Sequence, residues 1–190
     1  SSNMEYLIQN DGTNREGAIG YAVYALDDMI AWTNPNKEVG IYEKESESLE
    51  GGFSGVWGIR LNNAFKYILD ITGPGYVDNQ MGDGSAYTNN FKGVFKRGYD
   101  ALGNENLLYA ATDGKEGVKM DYTSTAYKDG RVVVMRSGWN PNDVYLYSDV
   151  TPNTSHAHKA HNQIIMFAYG KYLLTDQLFY TYTSTDPIYA

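Results

Sequence analysis

Three shortages in the sequence exclude whole classes of protein. The chain has no cysteine among its 190 residues, which excludes both a disulfide framework and a thiolate site. It has 15 Lys and Arg against 23 Asp and Glu, a formal net charge of -8, which argues against nucleic acid as a partner. No apolar run exceeds the length of a strand, so we expect no membrane span, and no segment has the pattern of a signal peptide. An acidic glycan remains compatible with the charge, because a few basic side chains placed in a cleft override the net value.

The first half of the chain has the period of helices. Ile19, Val23, Leu26 and Ile30 recur every three or four residues, which predicts a helix that Asn34-Pro35-Asn36 should end. Similar apolar stripes predict three more helices, over 57–71, 91–103 and 104–112.

After 113–117 the period becomes that of strands. The segments 125–128 and 131–135 flank Asp129-Gly130, which favours a β-hairpin. Further strands are predicted over 143–147, 162–169 and 171–175. Helices followed by strands indicate two structural units, which we place at 1–117 and 118–190. The strands continue to the last residues without a closing signal, so we expect the sheet to be completed by further polypeptide.

All three histidines fall within six residues, 156–161. The pattern His156-Ala-His158 places two imidazoles on one side of an extended segment, where they suit metal binding or proton transfer. Asp176, at the end of a predicted strand, offers a carboxylate ligand. By spacing alone, a polar loop with solvated histidines explains the same residues equally well.

Three stretches of the chain resemble the heparinase II/III-like polysaccharide lyases. The run 156–176, with its His-x-His, apolar strand, Gly turn and Leu-Leu-Thr-Asp, resembles the start of that family's β-sandwich. The segment 134–139, Val-Met-Arg-Ser-Gly-Trp, resembles the strand before it, and Asp-Gly…Glu-Gly-Ala-Ile-Gly-Tyr over 11–21 resembles a segment of the family's toroid. The resemblance implies an α+β multidomain fold, in which the end of an (α/α) toroid is followed by the start of an antiparallel β-sandwich.

The resemblance also implies roles for particular residues. In this family a toroid tyrosine and a sandwich histidine face each other across a cleft, so Tyr21 matches the general acid and His156 the general base. His158 and Asp176 match two ligands of a zinc ion. One departure is Ala160, which stands where the family often has Asp. The residue that neutralises the substrate carboxylate and a third metal histidine are expected outside this chain.

The remaining candidates are substrate-binding residues, and for several of them the sequence leaves a second interpretation open. Tyr24 is the main rival of Tyr21 on the same helix. Glu16 belongs either to the cleft floor or to the first turn of the helix, and Arg136 either binds a substrate carboxylate in a bidentate manner or braces the sheet. Trp139 is a candidate for stacking on a sugar ring.

The resemblance implies a polysaccharide lyase that breaks uronate-containing polymers by β-elimination. Removal of the hydrogen at C5 needs a base, and departure of O4 needs an acid nearby. With only 15 Lys and Arg, alginate is favoured over heparin- or chondroitin-type glycosaminoglycans, and such an enzyme is expected to be secreted or periplasmic. Two alternatives are a zinc-dependent glycan hydrolase that activates water with His156, His158 and Asp176, and a non-catalytic glycan-binding module.

Overall fold

The described part of the chain consists of four helices followed by a five-stranded sheet. A computed structural model describes residues 6–15, 17–38, 55–77, 91–150 and 162–176. The helices are α1 (Ile19–Glu38), α2 (Gly55–Ile71), α3 (Lys92–Leu102) and α4 (Glu105–Ala111). The strands are β1 (Thr125–Tyr127), β2 (Val132–Arg136), β3 (Tyr145–Asp149), β4 (Gln163–Ala168) and β5 (Lys171–Leu174). None of the described helices is long and apolar enough to cross a membrane.

Helix α1 buries the apolar stripe that the sequence predicts, but it runs further than expected. Ile19, Leu26 and Ile30 are all buried. The helix continues through Asn34-Pro35-Asn36 to Glu38, so the predicted end at these residues is wrong. Proline in a helix interior costs one backbone hydrogen bond and crowds the carbonyl four residues before it, and α1 continues past Pro35 despite this cost.

Helices α2 and α3 each contact the other three described helices. Helix α2 ends close to the predicted Gly73-Pro74-Gly75. The short helix α4 is capped at its N-terminus by Asn104, whose side chain accepts a hydrogen bond from the amide of Asn106. Gly103, at φ 69°, ends helix α3 in the left-handed conformation that glycine adopts without a steric penalty. The helices after α1 are therefore where the periodicity predicts them.

The five strands form an antiparallel meander in the order β1-β2-β3-β4-β5. Along β2, Val132, Val134 and Arg136 point inward, while Val133 and Met135 point outward and are exposed. In the register of the sheet, Met135 pairs with Leu146, which pairs with Met166. The outward face therefore carries an apolar row across three strands.

The β1–β2 connection is longer than the two-residue turn that Asp129-Gly130 suggests. Tyr127 pairs directly with Val132, which leaves four residues in the loop. Arg131 in this loop has a φ of 54°. The amides of Asp129 and Gly130 donate to a distant carboxylate, which accounts for a loop opened beyond the tight turn.

A single hydrophobic core joins the helical and stranded halves. Side chains from α1, α2, α3, α4 and the strands belong to one buried cluster. The change from helix to strand falls between the end of α4 at Ala111 and the start of β1 at Thr125. The domain division at 117/118 stays a prediction.

Candidate active site

The predicted general acid, Tyr21, lies in the first turn of α1 on the side that faces away from the core. Its side chain is 36% exposed, whereas Ala22 and Val23 beside it are buried. Tyr24, one turn further along, is 69% exposed. Residues three apart in a helix share a face, so both phenol rings reach solvent on the same side of α1. Both phenol groups are therefore accessible to solvent on this face of α1, and Tyr21 is the less exposed of the two.

The loop before α1 is tied to the sheet by one carboxylate. Asp11 Oδ1 accepts hydrogen bonds from the amide of Thr13 at 3.2 Å and from its hydroxyl at 2.7 Å. Asp11 Oδ2 accepts from the amides of Asp129 at 2.7 Å and Gly130 at 3.4 Å. The same loop is held to α2, because Arg60 donates to the carbonyl of Ile8 at 2.9 Å. The start of α1 is therefore fixed to both the sheet and α2.

A second connection between helices and sheet surrounds the buried carboxylate of Asp70, near the end of α2. Asp70 is 1% exposed. It accepts hydrogen bonds from the hydroxyls of Tyr122 at 2.7 Å and Tyr127 at 2.5 Å, and Lys66 Nζ lies 2.5 Å from it. Three donors, one of them cationic, satisfy a charge that would otherwise be costly to bury.

The tyrosines of this cluster are held in their neutral form. Burial, reinforced by the negative charge of Asp70, raises the pKa of both Tyr122 and Tyr127 above the usual value for a phenol. Both hydroxyls donate to the Asp70 carboxylate, and this interaction requires their protons. These tyrosines act as fixed donors at neutral pH, not as acids.

Arg136 and Trp139 lie in the interior, next to the end of α2. The guanidinium of Arg136 donates to the carbonyls of Asp70 and of Thr72, the latter at 3.1 Å. It also stacks on the Trp139 ring at 3.8 Å, and Trp139 Nε1 donates to the carbonyl of Tyr122 at 2.6 Å. Burial lowers the pKa of Arg136, and electrostatic interactions with Tyr145 and Asp70 oppose only part of this shift. The contacts favour the bracing alternative for Arg136 and give Trp139 a packing role, while substrate binding by either residue stays a prediction.

Asp176, the predicted carboxylate ligand, is buried two residues after β5. Strands β4 and β5 pair antiparallel, with Met166 opposite Leu174. Asp176 therefore lies at the end of the sheet where the chain enters β4 at Gln163. His158 precedes Gln163 by only five residues (163 − 158), so chain length permits a shared site at this end.

Three of the predicted site residues lie outside the described residues, namely Glu16, His156 and His158. Their assignments stay predictions, as does the convergence of Tyr21 with His156. Within the described ranges, no group of three or more His, Asp or Glu side chains is arranged to hold a metal ion. His158, one of the two predicted zinc ligands, lies outside these ranges, so the predicted zinc site is not tested by this result.

Sequence reasoning assigned no role to Asp11 or Asp70, although local signals for both were present. The order Asp-Gly-Thr at 11–13 is typical of a loop in which the aspartate side chain binds the backbone two residues on. Asp70 interrupts an otherwise apolar run and stands four residues after Lys66, the spacing of a helical ion pair. Neither signal identifies the distant partner.

The chain is similar in sequence to a known lyase. A curated heparin-sulfate lyase from Pedobacter heparinus is 26% identical over 193 residues, covering 99% of this chain and 28% of that protein. No known protein-family model matches the chain.

Solved structures share the fold. A heparan sulfate lyase from Pedobacter heparinus superposes with a TM-score of 0.84 at 23% identity, over 98% of this chain and 28% of the other. A heparinase III superposes with a TM-score of 0.78 at 18% identity, over 94% of this chain and 29% of the other. The resemblance to heparinase-like polysaccharide lyases and the toroid-to-sandwich fold class are thereby confirmed. The chain spans under a third of the length of these relatives.

Proposed function

We propose that the protein carrying this chain is a polysaccharide lyase that cleaves a uronate-containing polymer by β-elimination. The observation that carries the proposal is the 26% identity to a heparin-sulfate lyase over 99% of the chain. The exposure of Tyr21 on α1 supports it, because a general acid has to reach a bound sugar chain.

A glycosaminoglycan of the heparin or heparan sulfate type is the better-supported substrate. The relatives are named for heparin and heparan sulfate, which favours this class over the alginate that composition alone favours. The small number of basic residues, 15 Lys and Arg, still supports alginate as the second candidate. Basic contacts in the rest of the polypeptide would add to those of this chain.

The proposed reaction needs two proton transfers, which we assign to Tyr21 and His156. His156 takes the hydrogen from C5 of the uronate, and the electron pair of that bond forms the C4–C5 double bond. The C4–O4 bond breaks, and the Tyr21 hydroxyl gives its proton to the departing O4. Histidine titrates near neutral pH and suits the base, whereas a phenol that is protonated at neutral pH suits the acid.

We also propose a zinc ion on the sandwich side of the site, with His158 and Asp176 as two of its ligands. The buried position of Asp176, at the end of the sheet where the chain enters β4, fits a carboxylate ligand. Bound there, the ion would fix the His156 segment relative to the sheet. As partners we propose the remainder of the same polypeptide and an anionic polysaccharide, and as location the periplasm or the outside of the cell, because such polymers are found there.

The product distinguishes this proposal from the alternatives. The complete protein that carries this chain should be incubated separately with heparan sulfate, heparin and alginate. Elimination produces a C4–C5 double bond that absorbs ultraviolet light, in step with new reducing ends. New reducing ends without this absorbance would identify a hydrolase, and binding without shortening of any polymer would identify a glycan-binding module.

A further inference from the structure

We infer that Asp11 is a positioning residue for Tyr21, a role that rests on the proposed lyase function. Asp11 precedes Tyr21 by ten residues (21 − 11), and its carboxylate bonds to the turn that leads into β2. The residues involved are the Asp11 carboxylate, the amides of Asp129 and Gly130, and Thr13. We call this group the Asp11 clamp.

The clamp uses both oxygens of one carboxylate for two different tasks. Oδ1 holds the loop in shape through the amide and hydroxyl of Thr13, which is itself buried. Oδ2 reaches across to residues 118 and 119 positions away. Each oxygen makes one close contact, at 2.7 Å from the Thr13 hydroxyl and 2.7 Å from the Asp129 amide, so the loop and the turn are held as one unit.

Close packing on both sides of the clamp leaves little freedom for the loop to shift. A Cβ added to Gly12 would lie under 3.0 Å from the backbone of Asn63 in α2, and the φ of Gly12 is +91°. A Cβ added to Gly130 would lie under 3.0 Å from the Thr13 side chain. The loop is therefore wedged between α2 and the β1–β2 turn.

The position of the clamp in the chain connects the two proposed catalytic sides. The loop continues into α1, which carries Tyr21, and the turn continues into β2 of the sheet. His156 follows β3, the strand paired with β2. The clamp thus joins the loop that precedes α1 to the turn that precedes β2. Because proton transfer is sensitive to displacements of about 1 Å, releasing this joint is expected to slow the reaction without removing a reacting group.

The test compares Asp11→Asn with Asp129→Asn in the complete protein. Asp11→Asn keeps the size of the side chain but puts an NH2 group where one acceptor oxygen stood, so it weakens the clamp. Asp129→Asn changes a neighbouring exposed carboxylate while its backbone amide, the clamp donor, stays in place. Hydrogen exchange of the 128–131 segment and the steady-state kinetics of both variants are measured on heparan sulfate.

We expect Asp11→Asn to speed exchange at 128–131 and to lower kcat by roughly tenfold to a hundredfold, with KM within about threefold of the original. Asp129→Asn should leave both quantities unchanged. If Asp11→Asn releases the turn while kcat per folded molecule stays the same, the clamp is only structural and the inference is wrong. Equal exchange at 128–131 in the original protein and in Asp11→Asn would show that the clamp does not hold the turn, which also overturns it. If the original protein has no lyase activity, it is the proposed function that is refuted. The hydrogen-exchange measurement does not depend on activity, so the two failures can be told apart.

Discussion

Two buried tyrosines provide a matched test of how the helices are joined to the sheet. Tyr127 and Tyr76 are each 6% exposed. Each ring makes an edge-to-face contact, Tyr127 with Tyr67 at 5.0 Å and Tyr76 with Phe95 at 6.2 Å. They differ at the hydroxyl: that of Tyr127 donates to the Asp70 carboxylate, whereas that of Tyr76 has no hydrogen-bond partner in the described part of the chain.

Replacing each tyrosine with phenylalanine should therefore have opposite consequences. Tyr127→Phe deletes a hydrogen bond to a buried charge, which is expected to lower the free energy of unfolding by about 1.5–3 kcal/mol. Tyr76→Phe removes a hydroxyl that is buried without a partner, so its effect should lie between zero and about 1 kcal/mol of added stability. Both substitutions keep the ring, so changes in packing largely cancel in the comparison.

Urea unfolding of the complete protein, followed by tryptophan fluorescence, measures this difference. The predicted gap between the two variants is roughly 1.5–4 kcal/mol, with Tyr127→Phe the less stable. Equal stabilities, or a Tyr76→Phe variant that is the weaker of the two, would refute the claim that the Asp70 cluster stabilises the helix–sheet connection.

Three further predictions concern the clamp, alkaline pH and metal. Gly12→Ala should lower the free energy of unfolding in urea by roughly 2 kcal/mol or more, because the added Cβ would clash with the backbone of Asn63. The control is Gly103→Ala, where φ is also positive but no atom lies near the added Cβ, and it should lower the free energy of unfolding by only about 1 kcal/mol. Burial raises the pKa of Tyr127 above about 10, the usual value for a phenol, so its stabilising effect is complete below about pH 10 and declines as the pH rises further. The free energy of unfolding should therefore fall progressively above about pH 10, and a flat profile there would contradict this. Elemental analysis of protein purified without added metal should find zinc, and His158→Ala should lower its content; a metal-free, fully active protein would remove the ion from the proposal.

The order of helices and strands could be predicted because each element is determined by local pattern. The apolar stripe of α1, the Gly103 that ends α3 and the run of β-branched residues in β2 are all readable from neighbouring residues. The end of α1 was predicted wrongly because proline disfavours the interior of a helix without excluding it, and α1 continues past Pro35. The length of the β1–β2 loop was missed because Asp11, more than a hundred positions away, binds its amides.

The connections between the two halves could not be predicted from sequence. The Tyr127–Asp70 bond joins residues 57 positions apart, and the bond from Arg136 to the carbonyl of Thr72 joins residues 64 apart. Aspartate and arginine at such separations have many possible partners, and only the packing of α2 on the sheet selects these. The exposure of Tyr21 did follow from sequence, since it lies off the apolar stripe of α1.

The most direct measurement of the central claim is the turnover of Tyr21→Phe on heparan sulfate, followed by the ultraviolet absorbance of the unsaturated product. The matched control is Tyr169→Phe, which removes a hydroxyl from a 91% exposed side chain in the β4–β5 turn, at the other end of that hairpin from Asp176. The account predicts that kcat of Tyr21→Phe falls by about a hundredfold or more, the scale of a lost general acid, while Tyr169→Phe keeps its turnover. Near-normal turnover of Tyr21→Phe would contradict the assignment, and loss of activity in Tyr24→Phe instead would identify that residue as the acid.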